Sequence, residues 1–325
     1  MENLSSTIDP SCLQQPPLAI DIIIELDALG IILYAGLTLM AVLSMLIYIE
    51  GTIYIFRKVS YPKKQAIIWV NGAAPIIATM SCLGMWIPRA TMFTDMTSGC
   101  YFAVVVYEIL VLLLEECGGD EAFLQRCGNN RLRISTGPCC CCCPCLPHVR
   151  LTRRVLFLLK LGSFQYALMK TVCTVLAIVL WTNGNFDVSD LEVTGALIWI
   201  NCSVGVLTIA ALWPGAILFM HLRQTLSSQK IIPKYAMYQV VLVLSQLQTA
   251  IFSILSLNGT IACAPPYSSQ ARGSMMSQQL LIPEMFIITL VTRLLYRRTY
   301  EPLSAAPLHQ DNRGRKLLPS ECGEA

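Results

Sequence analysis

Of the 325 residues, 55% are hydrophobic and only 13% are charged, against roughly 25% charged in an ordinary soluble domain. With a mean hydropathy of +0.59, a soluble enzyme of this size would lack the polar exterior it needs, and a disordered chain would need the opposite composition. The net charge of +3 carries no general attraction to nucleic acid, and the length suits six to eight membrane helices of about 20 residues each.

Residues 1–27 carry acids, the pair Pro16-Pro17 and no basic residue. They lack the charged start of a secretory signal and read as an extracellular segment. Seven apolar runs follow, at about 28–56, 66–93, 96–114, 155–181, 194–222, 235–257 and 276–296, each long enough to cross a bilayer. The expected fold is therefore an all-α membrane protein, a seven-helix bundle over 28–298, closed by a tail at 299–325.

Lysine and arginine alternate between the loops. The first loop holds Arg57, Lys58, Lys63 and Lys64, and the third holds six arginines from Arg126 to Arg154. The fifth holds Arg223, Lys230 and Lys234, and the tail adds five more. The intervening segments hold only Arg272. Positive charge gathers on the cytosolic side of membrane proteins, so the expectation is an external N-terminus and a cytosolic C-terminus. Trp69, Trp86, Trp181 and Trp199 fall near span ends, where an amphipathic ring suits the interface. Of the sequons, Asn3 and Asn258 would face outside, and Asn201 lies within a span.

The loop at 115–154 contains Pro138 followed by Cys139, Cys140, Cys141, Cys142, Cys143, Pro144 and Cys145. A reducing cytosol disfavours disulfides there, and zinc ligands come as spaced pairs rather than an unbroken run. Juxtamembrane cysteines beside Arg150, Arg153 and Arg154 suit S-palmitoylation, because basic residues hold the segment against an anionic leaflet. Membrane lipid is then a partner of this loop. Cys12 and Cys263, both expected outside, form either a disulfide or two separate thiols. In the tail, Arg313-Gly314-Arg315 is either an endoplasmic-reticulum retention signal for the unassembled chain or part of the cytosolic positive bias.

Ionisable groups within spans cost about 2.5–3.5 kcal/mol each on insertion scales and mark function by default. Lys170 is near the middle of the fourth span, with Glu108 of the third as a candidate partner. Glu284 follows Pro283 in the seventh. Lys160 and Arg293 lie near span ends, where their long stems reach the interface. Arg89 would sit at the outer mouth, Lys170 at mid-depth and Lys160 at the inner mouth, making a ladder for an anion. Glu284 and Asn201 are further candidates for contact with a transported solute. Prolines at Pro75, Pro88, Pro214 and Pro283 interrupt the spans. No phosphate-binding Gly-Lys-Ser/Thr loop, metalloprotease helix motif or serine-hydrolase elbow occurs. No enzyme activity, cofactor or metal is expected, and no catalytic residue is assigned.

Seven spans with an external N-terminus also fit a receptor of a non-rhodopsin type. The end of the third span, however, reads Glu115-Glu116-Cys117-Gly118-Gly119, and the seventh carries Ile288-Thr289-Leu290-Val291-Thr292 in place of an Asn-Pro-x-x-Tyr motif. Other stretches are more distinctive: Trp86-Ile87-Pro88-Arg89, Thr136-Gly137-Pro138 with the cysteine run, Phe164-Gln165-Tyr166-Ala167 with Lys170, and Trp199-Ile200-Asn201. Further on come Ile261-Ala262-Cys263 with Pro265-Pro266-Tyr267-Ser268-Ser269, and Tyr296-Arg297-Arg298. In these stretches the chain resembles the organic solute transporter alpha subunits, and the resemblance carries further expectations. It implies a facilitative carrier of bile acids, steroid sulfates and related amphipathic anions, independent of sodium and ATP. It further implies a single-span beta subunit as partner and the basolateral plasma membrane as location.

Overall fold

The computed structural model describes residues 18–59, 61, 63–127, 131–132, 149–183, 196–222, 231–263 and 267–296. The described residues are almost wholly helical. A short helix, α1 (Ala19–Glu25), precedes α2 (Ala28–Lys58). Next come α3 (Lys63–Asn71), α4 (Ala73–Trp86), α5 (Thr91–Glu116) and the short α6 (Asp120–Cys127). After them run α7 (Arg153–Thr182), α8 (Ala196–Leu222), α9 (Ile231–Leu257) and α10 (Ser269–Tyr296). Seven stretches are long and apolar enough to cross a membrane, with α3 and α4 together forming the second. At 31 residues, α2 is about 46 Å long, more than a hydrocarbon core of about 30 Å.

Each break has a local cause. Proline lacks an N–H and crowds the carbonyl four residues back. Pro75 sits four residues after Asn71, where α3 gives way to α4. Pro88 disfavours helical geometry at the residue before it, and Ile87 leaves the helix at φ −127° and ψ 80°. A single 3-10 turn, Pro88–Ala90, then leads into α5. This corrects the expected second and third spans. The second ends at Trp86 rather than near Phe93, and the third runs from Pro88 to Glu116 rather than over 96–114. Pro214 and Pro283 lie inside α8 and α10, which continue through them.

The end of α5 is set by two glycines. Gly118 and Gly119 take φ of 95° and 91°, a region that costs a residue with a Cβ about 1–2 kcal/mol. The Gly119 N–H donates to the Leu114 carbonyl at 3.0 Å, closing the helix end. The reversal delivers Asp120 and Glu121 to the first turn of α6, where acids complement the helix dipole. The only strands among the described residues are β1 (Arg131–Leu132) and β2 (Val149–Arg150). They pair antiparallel, Arg131 opposite Arg150, and bracket residues 133–148.

The chain divides into two compact units. The first comprises Met1–Glu50, Asn71–Gly99 and Met237–Val291. Its core gathers Ile22 of α1, Tyr34, Leu37 and Ala41 of α2, Cys82 and Met85 of α4, and Met275 and Ile282 of α10. The second comprises Gly51–Val70, Cys100–Ala236 and Thr292–Ala325. Its core is built from Leu110, Leu113 and Leu114 of α5, Phe123 of α6, Leu156 of α7, and Ile217, Leu218 and Leu222 of α8. Phe123 anchors this short polar helix: its aromatic side chain is fully buried in the second unit's core, while Glu121 and Gln125 are exposed.

The outer faces of the spans are apolar. Along α7, Phe157, Leu161, Phe164, Leu168, Val172, Val175 and Val179 are all exposed at helical spacing. In water such a stripe would drive association; in lipid it is the solvated face.

Candidate functional site

The second unit holds a buried ion network at helix ends. Glu116, the last residue of α5, has a side chain with no exposure to solvent. Its Oε2 accepts from Nζ of Lys63, the first residue of α3. Its Oε1 lies 3.7 Å from Nζ of Lys234 in the first turn of α9, whose side chain is 8% exposed. The same ammonium sits over the ring of Tyr296, the last residue of α10, 4.9 Å from its centroid. One carboxylate thus joins the ends of three helices, and a cation–π contact adds a fourth. Sequence reasoning counted Lys63 and Lys234 only as topological charge. The available signal was a carboxylate at a span end on the lysine-rich side.

On α7, Lys170 shares a face with Ser163, Tyr166 and Ala177, all buried. Ser163 donates to the Ala211 carbonyl of α8 at 3.2 Å, and the hydroxyls of Tyr166 and Thr208 are 3.1 Å apart. Lys170 is therefore on the packed side of its helix. Its ionisable neighbours are the thiols of Cys100 and Cys173, and Cys100 donates to Thr174 Oγ1 at 3.2 Å. Glu108, the candidate partner, does not pair with Lys170. Among the described residues neither side chain has a hydrogen bond or ion pair.

Lys160 has a carboxylate partner that the sequence did not show. Its Nζ lies 2.7 and 2.6 Å from the two oxygens of Asp120, so the amine is held by α6 rather than presented to an incoming anion. Two turns earlier on α7, Arg153 makes two contacts with Glu121, at 2.7 and 2.9 Å. Both partners are largely exposed there, and such a pair contributes little. Together these contacts pin α6 along the start of α7.

In the first unit, Trp86 donates its indole N–H to Thr38 Oγ1 at 2.9 Å. The Thr38 hydroxyl donates to the Tyr34 carbonyl at 2.7 Å, and Trp86 meets Tyr34 edge to face with centroids 5.2 Å apart. Gln278 is buried at 4% exposure and donates to Asp95 Oδ1 at 3.4 Å. Its amide lies 2.6 Å from where a Cβ on Gly84 would stand, so a larger residue at 84 would displace the Gln278 amide from its present position. Asp95 fell between the expected second and third spans, but it lies inside α5. Arg89 is exposed on the 3-10 turn. Glu284 is half-buried, and its Oε2 is enclosed without a hydrogen-bond partner among the described residues. Asn201 lies in α8.

Cys263 is held in a disulfide, and its Sγ lies 3.6 Å from the Tyr267 carbonyl. Cys12, Asn3 and the six cysteines from Cys139 to Cys145 lie outside the described residues. Among the described residues no cluster of His, Cys, Asp and Glu is placed to hold a metal.

The family profile described as organic solute transporter Ostalpha matches residues 33–303. The organic solute transporter subunit alpha of Danio rerio is 66% identical over 93% of this chain and 93% of its own. The protein of the same description from Leucoraja erinaceus is 44% identical over 90% of this chain and 83% of its own. That from Homo sapiens is 38% identical over 93% of this chain and 90% of its own. No solved structure matches the chain. These relatives are named as transporter subunits, a non-enzymatic function. With the profile spanning most of the sequence and seven membrane-length helices beneath it, the chain belongs to the organic solute transporter alpha family.

Proposed function

We propose that this chain is the transport subunit of a facilitative carrier for bile acids, steroid sulfates and related amphipathic anions. It works with a single-span beta subunit and moves solute down its electrochemical gradient without sodium or ATP. The observation that carries this reading is Lys170, an amine on the packed face of a membrane-length helix with no carboxylate bound to it among the described residues. A buried cation in hydrocarbon is retained for a partner, and a transported carboxylate or sulfate supplies one. Arg89 serves the outer mouth, and Glu284 and Asn201 are further contacts for the solute. Lys160, already held by Asp120, leaves the ladder in this state.

The N-terminus is external and the C-terminus cytosolic, in the basolateral plasma membrane, with unassembled chains kept in the endoplasmic reticulum. Asn3 is glycosylated, and Cys12 closes the disulfide to Cys263. The test is reconstitution. Purified alpha with beta in liposomes should release labelled steroid sulfate without sodium, nucleotide or G protein. Release that requires any of the three would overturn the reading.

The pairing of β1 with β2 supports the second part of the proposal. The two strands bracket residues 133–148, the stretch of sequence that holds the cysteine run, and β2 directly precedes the basic start of α7 in the chain. Palmitoyl chains at Cys139 to Cys143 and Cys145, at roughly 0.8 kcal/mol per buried methylene, would tie that loop to the bilayer. Acyl-exchange labelling should fall to background when all six become serine. Equal labelling of wild type and variant would refute acylation there.

A further inference from the structure

The α9 helix has three faces where two would be ordinary. One packs inward: Tyr238, Val241, Gln248 and Ser256 are buried, and Gln248 donates to the Ser277 carbonyl of α10 at 3.0 Å. A second is a lipid face of Val240, Val243, Leu247, Ile251 and Ile254, all exposed. The third is polar. Gln239, Gln246 and Ser253 recur every seven residues and so stay on one line of the helix, flanked by Thr249 and Ala250. Gln246, Thr249, Ala250 and Ser253 are exposed and Gln239 is half-buried.

The line runs for about 21 Å at 1.5 Å per residue, two thirds of a hydrocarbon core of about 30 Å. Among the described residues the side chains of Gln239, Gln246 and Ser253 have no hydrogen-bond partner. Thr249 gives its proton to the Ser245 carbonyl at 2.8 Å, which leaves its oxygen to accept. Hydrocarbon cannot satisfy these groups, so a polar surface has to meet them there.

We propose that this face is a rail for the transported solute, a rigid amphipath with hydroxyls on one side. The hydroxyl side exchanges hydrogen bonds with Gln239, Gln246, Thr249 and Ser253 in turn, while the apolar side rests on acyl chains beside Val243 and Leu247. The line carries no charge. It recognises the ring hydroxyls of the solute and leaves the anionic group to other residues. A continuous row of equivalent partners also suits passage better than one deep site, because no single position holds the solute tightly. The inference rests on the transport reading above and adds the surface along which the solute moves.

The test uses the alpha–beta complex in liposomes and two labelled solutes, a trihydroxylated bile-acid conjugate and a steroid sulfate without ring hydroxyls. Gln246→Leu with Ser253→Ala should lower kcat/KM for the hydroxylated solute about tenfold, the worth of two ordinary hydrogen bonds. The change for the steroid sulfate should stay under about twofold, and Gln246→Asn should restore much of the loss. Equal loss for both solutes, or no loss for either, overturns the rail. Loss of beta co-purification in the Leu/Ala variant overturns it as well and makes the face the partner's docking site. A wild-type complex that moves neither solute overturns the transport reading, and the rail with it.

Discussion

Replacing Glu116 with Gln is expected to destabilise the solubilised complex by about 3–5 kcal/mol, the usual cost of breaking a buried ion pair from one side. Glu116 has no solvent exposure and Lys234 is nearly as enclosed, so the variant leaves an ammonium in the interior without its carboxylate. Lys63, 22% exposed, can turn partly to water and is the lesser problem. The melting temperature should drop by roughly 5–10 °C, read by size-exclusion fluorescence after heating. The physics also predicts a rescue. Glu116→Leu combined with Lys234→Met removes both buried charges, and such replacements by apolar groups are often neutral or better. A double variant no more stable than Glu116→Gln would show that the network acts through geometry rather than charge. Unchanged melting of the single variant would show that the carboxylate is dispensable.

The second large effect concerns Lys170. Lys170→Ala should reduce bile-acid uptake ten- to a hundredfold at matched surface expression with beta present. That range follows from about 1.5–3 kcal/mol for a hydrogen bond to a charged group, at 1.4 kcal/mol per factor of ten. Lys170→Arg keeps the charge but changes the shape of the donor, and should retain an intermediate rate. An uncharged steroid, if carried at all, should be indifferent to both. Melting should barely move, since Lys170 makes no ion pair or hydrogen bond among the described residues. Uptake unchanged in both variants would remove Lys170 from the path. Lost expression together with lowered melting would assign it a packing role.

Most of the architecture was legible because membrane spans are written in runs of apolar residues, and seven were expected where seven membrane-length stretches stand among the described residues. The errors fell where a short-range rule outweighed the hydropathy. Thr94 and Asp95 looked like a loop, but Pro88 had already turned the chain at Ile87, and Gln278 receives Asp95 within the helix. The helix α6 was invisible because it is short and polar, and only the burial of Phe123 reveals its purpose. The site was less legible still. Lys170 stands out in any reading, since it breaks an apolar run. Glu116 does not, because a charge at a span end is unremarkable until its neighbours are known, and they come from residues 63, 234 and 296. The partner of Lys160 was hidden for the same reason: Asp120 belongs to a helix that had not been recognised.

The Glu116 network also fixes an order of events during synthesis. Lys63 and Glu116 emerge early, and their pair can form once the third span is placed. Lys234 and Tyr296 belong to the last two spans. At roughly 5–20 residues per second, Glu116 waits on the order of ten seconds for its second lysine. During that interval the nascent chain holds a carboxylate with half its final partners, and the pocket closes only when the seventh span arrives. Truncation before Tyr296 would therefore leave the chain open at a charged centre, a mark that distinguishes unfinished molecules from finished ones.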